Sequence, residues 1–352
     1  MRFFIFILCW GFLYAPAAAV AQSNKSLNRG SIINFVDFYP INTDPYIGWK
    51  SNMTDKETIL FETNPEVRIS LYNNFVAGMN EGRFHTSAYY IHFRPQLRMF
   101  SENSSPVKTI STPILLGTQH AFLFNRYQSD GTLDDFKRSI LSFSFETGHY
   151  SNGQKMGAFT EAYEDGSPES EAIYNTITPT TNLSDILNRN SGNFSTNLTE
   201  IRVNYRANKL DSNAIPVRTH SITFGGTLYH NRLLYLFNLG GYSANDIKIY
   251  GRIRLNAGYE YVNYLPFFRK VRYALAENIE RIFNAHPFVE PMRFETSVTV
   301  YPFPKIGDLG FFLSHTWGHD NYNYRFVDSG HQFGIGASFS VFPPFTLKQR
   351  KN

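Results

Sequence analysis

Taken two residues at a time, the segment from Glu66 to Phe75 sets Val67, Ile69, Leu71 and Phe75 on one face and Glu66, Arg68, Ser70 and Asn74 on the other. That is the period of a strand. The same alternation sets Tyr89, Ile91, Phe93, Leu97 and Met99 against His92, Arg94, Gln96 and Arg98, and Ile247, Ile249, Ile253, Leu255 and Tyr259 against Lys248, Arg252, Arg254 and Glu260. Near the C-terminus Phe333, Ile335, Ala337, Phe339 and Val341 alternate with glycine, serine and glutamine. A soluble sandwich and an outer-membrane barrel both produce this pattern, and segment length separates them. Soluble strands run to about five or six residues, whereas a tilted strand crossing a bilayer needs about nine to eleven. Several segments here are that long, with aromatic residues near their ends, as in Tyr89-Tyr90, Tyr259 with Tyr261, and Phe339 with Phe342. Such aromatics suit interfacial girdles.

The chain is therefore read as all-β, an antiparallel transmembrane β-barrel of about 12 strands. Strands are expected near 66–76, 84–99, 112–126, 136–151, 195–206, 217–230, 246–262, 290–302, 308–318 and 328–342, with two more near 232–242 and 267–278. Residues 22–65, with Pro40, Pro45 and Pro65 and no sustained period, read as a periplasmic lead-in. The barrel then occupies 66–342, followed by a tail at 343–352. The stretch 152–194, rich in Ser, Thr, Asn, Gly and acidic residues, reads as a long external loop.

Composition narrows the class further. Of 352 residues, 42% are hydrophobic, 16% aromatic and only 18% charged, which excludes intrinsic disorder. After the N-terminus no run of roughly eighteen apolar residues exists, so a bundle of membrane helices is excluded too. A net charge of +4 gives no reason to expect a nucleic-acid partner. The start, Met1-Arg2-Phe3-Phe4-Ile5-Phe6-Ile7-Leu8, followed by Ala19-Val20-Ala21, reads as a signal peptide over 1–21. The only cysteine, Cys9, lies inside it, so the exported chain gains no stability from disulfides.

Candidate chemistry follows from parity. Leu141, Phe143, Phe145, Thr147, His149 and Ser151 share the lipid-facing side of one strand, and Asn197 shares that side of the next with Ile201, Val203 and Tyr205. A histidine and a hydroxyl facing lipid are costly unless partnered or functional. Two residues on one strand with a third opposite can bring nucleophile, base and orienter within reach of each other. Interfacial polar residues solvated by headgroups would satisfy the same pattern.

Gly148-His149-Tyr150-Ser151-Asn152-Gly153 resembles the His-x-Ser-Asn-Gly signature of the outer-membrane phospholipase A family, and Ser195-Thr196-Asn197 resembles the Ser-x-Asn that opens its following strand. Fainter similarities run in the same order along most of the chain: Tyr39-Pro40, Glu66-Val67-Arg68, Ser101 to Pro106, Asp246-Ile247 with Tyr250-Gly251, and Gln332 to Gly336. The resemblance implies a twelve-stranded barrel that hydrolyses phospholipid acyl esters, active as a homodimer with calcium where two barrels meet. It implies Ser151 as nucleophile, His149 as base, Asn197 as orienter and the Gly153 N–H as an oxyanion donor. For calcium it implies Ser104 from the partner chain and the backbone carbonyls of Gln154 and Asn193, an oxygen-only set that suits the ion. The sequence departs from the family in a longer 152–194 loop and in Gln154 and Asn193, which stand where the family has Arg and Ser. The acidic residues Glu161, Glu164, Asp165, Glu169 and Glu171 read as a solvated loop face. Two other readings are a lipid A deacylase, for which Glu161 or Glu164 would have to orient the histidine, and a non-catalytic porin or adhesin.

Overall fold

The alternation of the sequence becomes one antiparallel sheet. In the computed structural model the described residues are 39–339, apart from 82, 102–105, 128–132, 211–215, 266–270 and 304–308. The expected signal peptide, Ser104 and the C-terminal tail lie outside them. The sheet contains β1 (Tyr46–Lys50), β2 (Ile59–Asn64), β3 (Val67–Asn73), β4 (His85–Phe93), β5 (Leu97–Phe100), β6 (Thr112–Tyr127), β7 (Leu133–Ser151), β8 (Ser195–Leu210), β9 (Pro216–His230), β10 (Ile253–Tyr264), β11 (Arg272–Phe283), β12 (Met292–Tyr301), β13 (Leu309–His319) and β14 (Ser329–Phe339). From β6 to β14 each strand pairs with the next in the chain. Among the described residues no helix is long and apolar enough to cross a membrane.

Two pairs of short strands continue one another. Pro65 separates β2 from β3, and Pro95 separates β4 from β5, since proline removes a ladder donor. The register nevertheless runs through: Glu62 faces Arg98 across β2 and β5, and Arg68 faces His92 across β3 and β4. At the other side of the sheet β1 pairs with both β14 and β2.

Burial follows parity. Along β7, Ser142, Ser144, Glu146, Gly148 and Tyr150 are buried, while Phe143 stands exposed on the opposite face beside Leu141 and Phe145. The buried face is polar and closely paired. Arg98 lies between Glu62 and Asp320, Lys50 meets Glu62 at 2.6 Å, Arg94 forks onto Glu200 at 2.9 and 2.7 Å, and Tyr90 donates to Glu146 at 2.7 Å. Buried charges persist only when matched in this way. An exposed apolar face backed by a charged, paired one is the arrangement of outer-membrane β-barrels.

Several expectations are corrected. The segment 22–65, read as a lead-in, contributes β1 and β2 to the sheet. Residues 246–250 do not begin a strand: Ala244–Tyr250 is a helix, opened by a capping box in which Ser243 and Asp246 satisfy each other's backbone N–H groups. The strand expected near 232–242 is a loop, because Leu234 and Tyr235 take φ values of 51° and 61° and turn the chain back on itself. The other expected strand, near 267–278, is β11, shifted toward the C-terminus.

The stretch 152–194 is no open loop. Numbering helices along the chain, with α1 at Phe75–Asn80, it carries α2 (Pro168–Tyr174) and α3 (Leu183–Ile186); α4 is Ala244–Tyr250. Its apolar residues Ala158, Phe159, Tyr174, Leu183, Leu187 and Phe194 join a buried cluster with Tyr150, Leu198, Tyr229, Tyr242, Tyr250 and Phe326. The insertion is a packed cap over the end of the sheet where β7 finishes and β8 begins.

Candidate active site

Antiparallel pairing of β7 with β8 sets His149 directly opposite Asn197 and Ser151 opposite Ser195; on the far side of β8, Asn197 faces His230. His149 and Ser151 are half-buried on the apolar face, at the end of β7 next to the cap. The imidazole Nδ1 and Asn197 Oδ1 are 3.1 Å apart. The amide of Asn197 has one orientation that satisfies it, since Nδ2 donates to the carbonyls of Leu239 at 2.8 Å and Gly240 at 3.1 Å. Its oxygen is thereby turned to the histidine. An amide oxygen only accepts, so Nδ1 carries the proton and Nε2 is the basic nitrogen. Asn197 is fully buried despite its outward parity, because the 239–240 backbone lies over it.

Leu239 and Gly240 were not singled out from the sequence. The adjacent glycines Gly240-Gly241 were the available signal. Gly240 has φ +72°, and a Cβ there would stand 2.5 Å from His149 Cε1, so only glycine lets this backbone reach the imidazole.

Around the pair the outward surface is polar. Thr147 Oγ1 and Thr199 Oγ1 are 2.9 Å apart, Thr199 Oγ1 lies 3.1 Å from His230 Nε2, and Tyr235 OH donates to Thr199 at 3.0 Å. Farther along the same three strands come Phe145 with Ile201, Phe143 with Val203 and Phe224, and Leu141 with Tyr205 and Ile222, and then a row of three exposed cations, Lys137, Lys209 and Arg218. From Thr147 to Lys137 is about 33 Å along a strand, or about 25 Å along the normal at the usual tilt, the height of an outer-membrane apolar band. His149 and Ser151 therefore stand at one edge of the apolar belt.

Beyond Ser151, Asn152 is the pin. Its Oδ1 accepts from the N–H of Gln154 at 3.2 Å and of Phe194 at 3.0 Å, and its Nδ2 donates to the Gly192 carbonyl at 2.8 Å. Gly153 is exposed at φ +66°, with nothing within 4 Å of where a Cβ would point. Asn152 thus holds together the two segments that carry Gln154 and Asn193. Among the described residues neither of their carbonyls accepts a protein hydrogen bond, although the Asn193 N–H donates to Met156 and its side chain to Asp165 Oδ2 at 2.7 Å. No cluster of three His, Cys, Asp or Glu side chains suited to a metal occurs among the described residues.

The acidic residues of the insertion stay away from the histidine. Glu164 pairs with Lys155 in solvent, and Glu161 accepts from Asn190 at 2.7 Å. Burial raises the Asp246 carboxyl, on α4 in the cap, to about 6.

No protein-family model and no curated protein matches the sequence. Among solved structures the fold is similar to outer membrane phospholipase A from Escherichia coli, with 11% identity over 89% of this chain and 95% of that one and a TM-score of 0.46. It is similar to the Salmonella typhi outer membrane phospholipase dimer with bound calcium, with 11% identity, 90% and 99% coverage and a TM-score of 0.45. A fainter similarity, with 9% identity, 85% and 100% coverage and a TM-score of 0.28, links it to LpxR from Salmonella typhimurium.

Proposed function

We propose that this chain is an outer-membrane phospholipase, a closed barrel of twelve strands that hydrolyses phospholipid acyl esters at its lipid-facing rim. Closure is supported by the register: β2 with β3 and β4 with β5 count as two kinked strands, and β1 joins β14 to the first of them. The observation that carries the activity is the His149–Asn197 pair, held at the edge of the apolar belt with its amide turned by two carbonyls.

In this reading Ser151 Oγ attacks the ester carbonyl carbon while its proton passes to His149 Nε2. The Gly153 N–H donates to the oxygen that becomes negative, from an exposed glycine with open space where a Cβ would stand. Collapse of the tetrahedral intermediate breaks the acyl C–O bond, Nε2–H protonates the departing lysophospholipid oxygen, and an acyl-serine remains. Water then loses a proton to Nε2, attacks the acyl-serine and releases fatty acid, and Ser151 recovers its proton. Asn197 holds the Nδ1–H throughout. The Gln154 and Asn193 carbonyls, which accept from no protein donor among the described residues and are clipped together by Asn152, fit calcium, with Ser104 of a second chain as the remaining ligand. When bound, the ion would supply polarisation of a water beside the oxyanion. The lipid A deacylase reading is disfavoured because Nδ1 of His149 meets Asn197 and not a carboxylate.

Purified protein in detergent, given phospholipid with calcium and with chelator, should release free fatty acid and lysophospholipid. Ser151→Ala and His149→Ala should each lower turnover by at least about 10³-fold, and Asn197→Ala by less, with the heat-modifiable fold retained. Wild-type turnover in Ser151→Ala would overturn the assignment.

A further inference from the structure

The segment 231–241, which joins β9 to the turn before α4, is unusual in pointing large apolar side chains outward from a loop. Leu236 is 75% exposed, Leu239 59% and Phe237 51%, in a loop that lies against Thr199 of β8 and His230 of β9. The turn that presents them is tight, with Phe237 N–H donating to the Leu233 carbonyl at 3.0 Å and left-handed backbone at Leu234 and Tyr235. Non-glycine residues in that region need support from their surroundings. Support comes from the outer surface of the strands: the Tyr235 ring stacks on His230 with centroids 4.3 Å apart, and its hydroxyl reaches Thr199. The same segment ends on the two carbonyls that turn Asn197.

We propose that 231–241 is an interfacial clasp: Leu236, Phe237 and Leu239 lie among the acyl chains of the outer leaflet and form one wall for the chain being cleaved, while Leu239 and Gly240 position Asn197 and, through it, His149. This rests on the phospholipase reading. The occupant is a lipid acyl chain because the exposed tip continues the apolar belt of the strands and borders the row that holds His149. On the other flank of His149 its register partner across β6 is Ile114, exposed beside Leu116. An ester seated at Ser151 thus has an apolar wall from its own chain on each side, and contacts at the tip grow with acyl length. Leu239 and Gly240 act only through Asn197 and are positioning residues.

The full chain in detergent or vesicles tests this with three variants. Leu236→Ser combined with Phe237→Ser should lower kcat/KM on tetradecanoyl phospholipid by about tenfold or more, with the loss shrinking steadily as the acyl chain shortens to butyryl. Gly240→Ala should instead lower kcat at every chain length and displace the acidic limb of the kcat–pH profile, because the added methyl meets the imidazole. Phe237→Trp should be quenched by lipids brominated on their acyl chains. An unchanged chain-length profile in the double variant, or an unquenched tryptophan, overturns the clasp. Absence of hydrolysis by the unaltered protein on every ester would remove the phospholipase reading, and the quenching would still decide whether the segment enters lipid.

Discussion

The orientation of one amide sets the chemistry of the site. Asn197 meets two carbonyls with its nitrogen and one imidazole with its oxygen, so tautomer and ring position follow from a single side chain. A carboxylate is the commoner partner for a catalytic histidine, yet here it would turn an oxygen toward the Leu239 and Gly240 carbonyls and lose both donors. Asn197→Asp should therefore be no better than Asn197→Ala, with kcat reduced on the order of 10²-fold; steady-state hydrolysis by the two variants side by side checks this. Activity in Asn197→Asp near the parent level would show that the carbonyls are not what holds the amide. The sequence made the parity of His149, Ser151 and Asn197 readable, since strict alternation leaves no other face for them. The carbonyls of Leu239 and Gly240 were not readable, because a backbone contact contributed more than forty residues away leaves no side-chain pattern.

At the scale of elements, two misreadings share a cause. Leu233, Tyr235, Phe237 and Leu239 alternate as strand residues would, and so do Ile247, Ile249 and Ile253, but period two in a short window does not make a strand. In the first case left-handed backbone breaks the extension. In the second the Ser243–Asp246 capping box, visible as Ser-x-x-Asp, fixes a helix start. Conversely β1 and β2 were hidden by the prolines at their flanks and by their length of five and six residues. The cap these helices build responds to pH. Asp246 accepts from the Ser243 N–H at 2.9 Å and from Tyr174 OH at 3.2 Å, and burial raises its carboxyl from 3.8 to about 6. The folded cap binds that proton more tightly than the unfolded chain does, so the contribution of Asp246 to its stability is greatest below pH 4 and falls as pH rises from 4 to 6, by at most about 3 kcal/mol. Hydrogen exchange at α2 and α4, corrected for intrinsic rates, should be less protected at pH 7.5 than at pH 4.5. Asp246→Asn should flatten that difference.

For the whole molecule, the paired charges between Lys50 and Asp320 and between Arg94 and Glu200 fill the inner face with side chains matched to one another. The candidate site lies instead on the outward face, where a second copy could reach it. The outward positions Ile114 and Leu116 are exposed on the strand beside His149, and in the proposed dimer a second copy packs on this face with calcium at the Gln154 and Asn193 carbonyls. Neutral ligands leave the ion's charge uncompensated, so calcium should bind weakly. Cross-linking in detergent should then yield dimer with calcium and a substrate-like lipid, and monomer with chelator or in Ser104→Ala. Full activity from protein that stays monomeric in chelator would separate hydrolysis from pairing.

The ladder between β1 and β14 has a consequence for how the chain acquires this structure. It pairs Tyr46 with Ser338 and Lys50 with Gly334, residues from opposite ends of the described chain, through a strand only five residues long. Every other neighbour in the order from β6 onward follows its predecessor in synthesis, so those hairpins can form as the chain emerges. The β1–β14 contact has the largest loop-closure entropy and a ladder of only five register pairs to offset it. In the proposed closed barrel the sheet presents two unpaired edges until this ladder forms, and such edges template aggregation. Slow completion of one short ladder thus makes assembly of this protein depend on an environment that covers its edges in the interval.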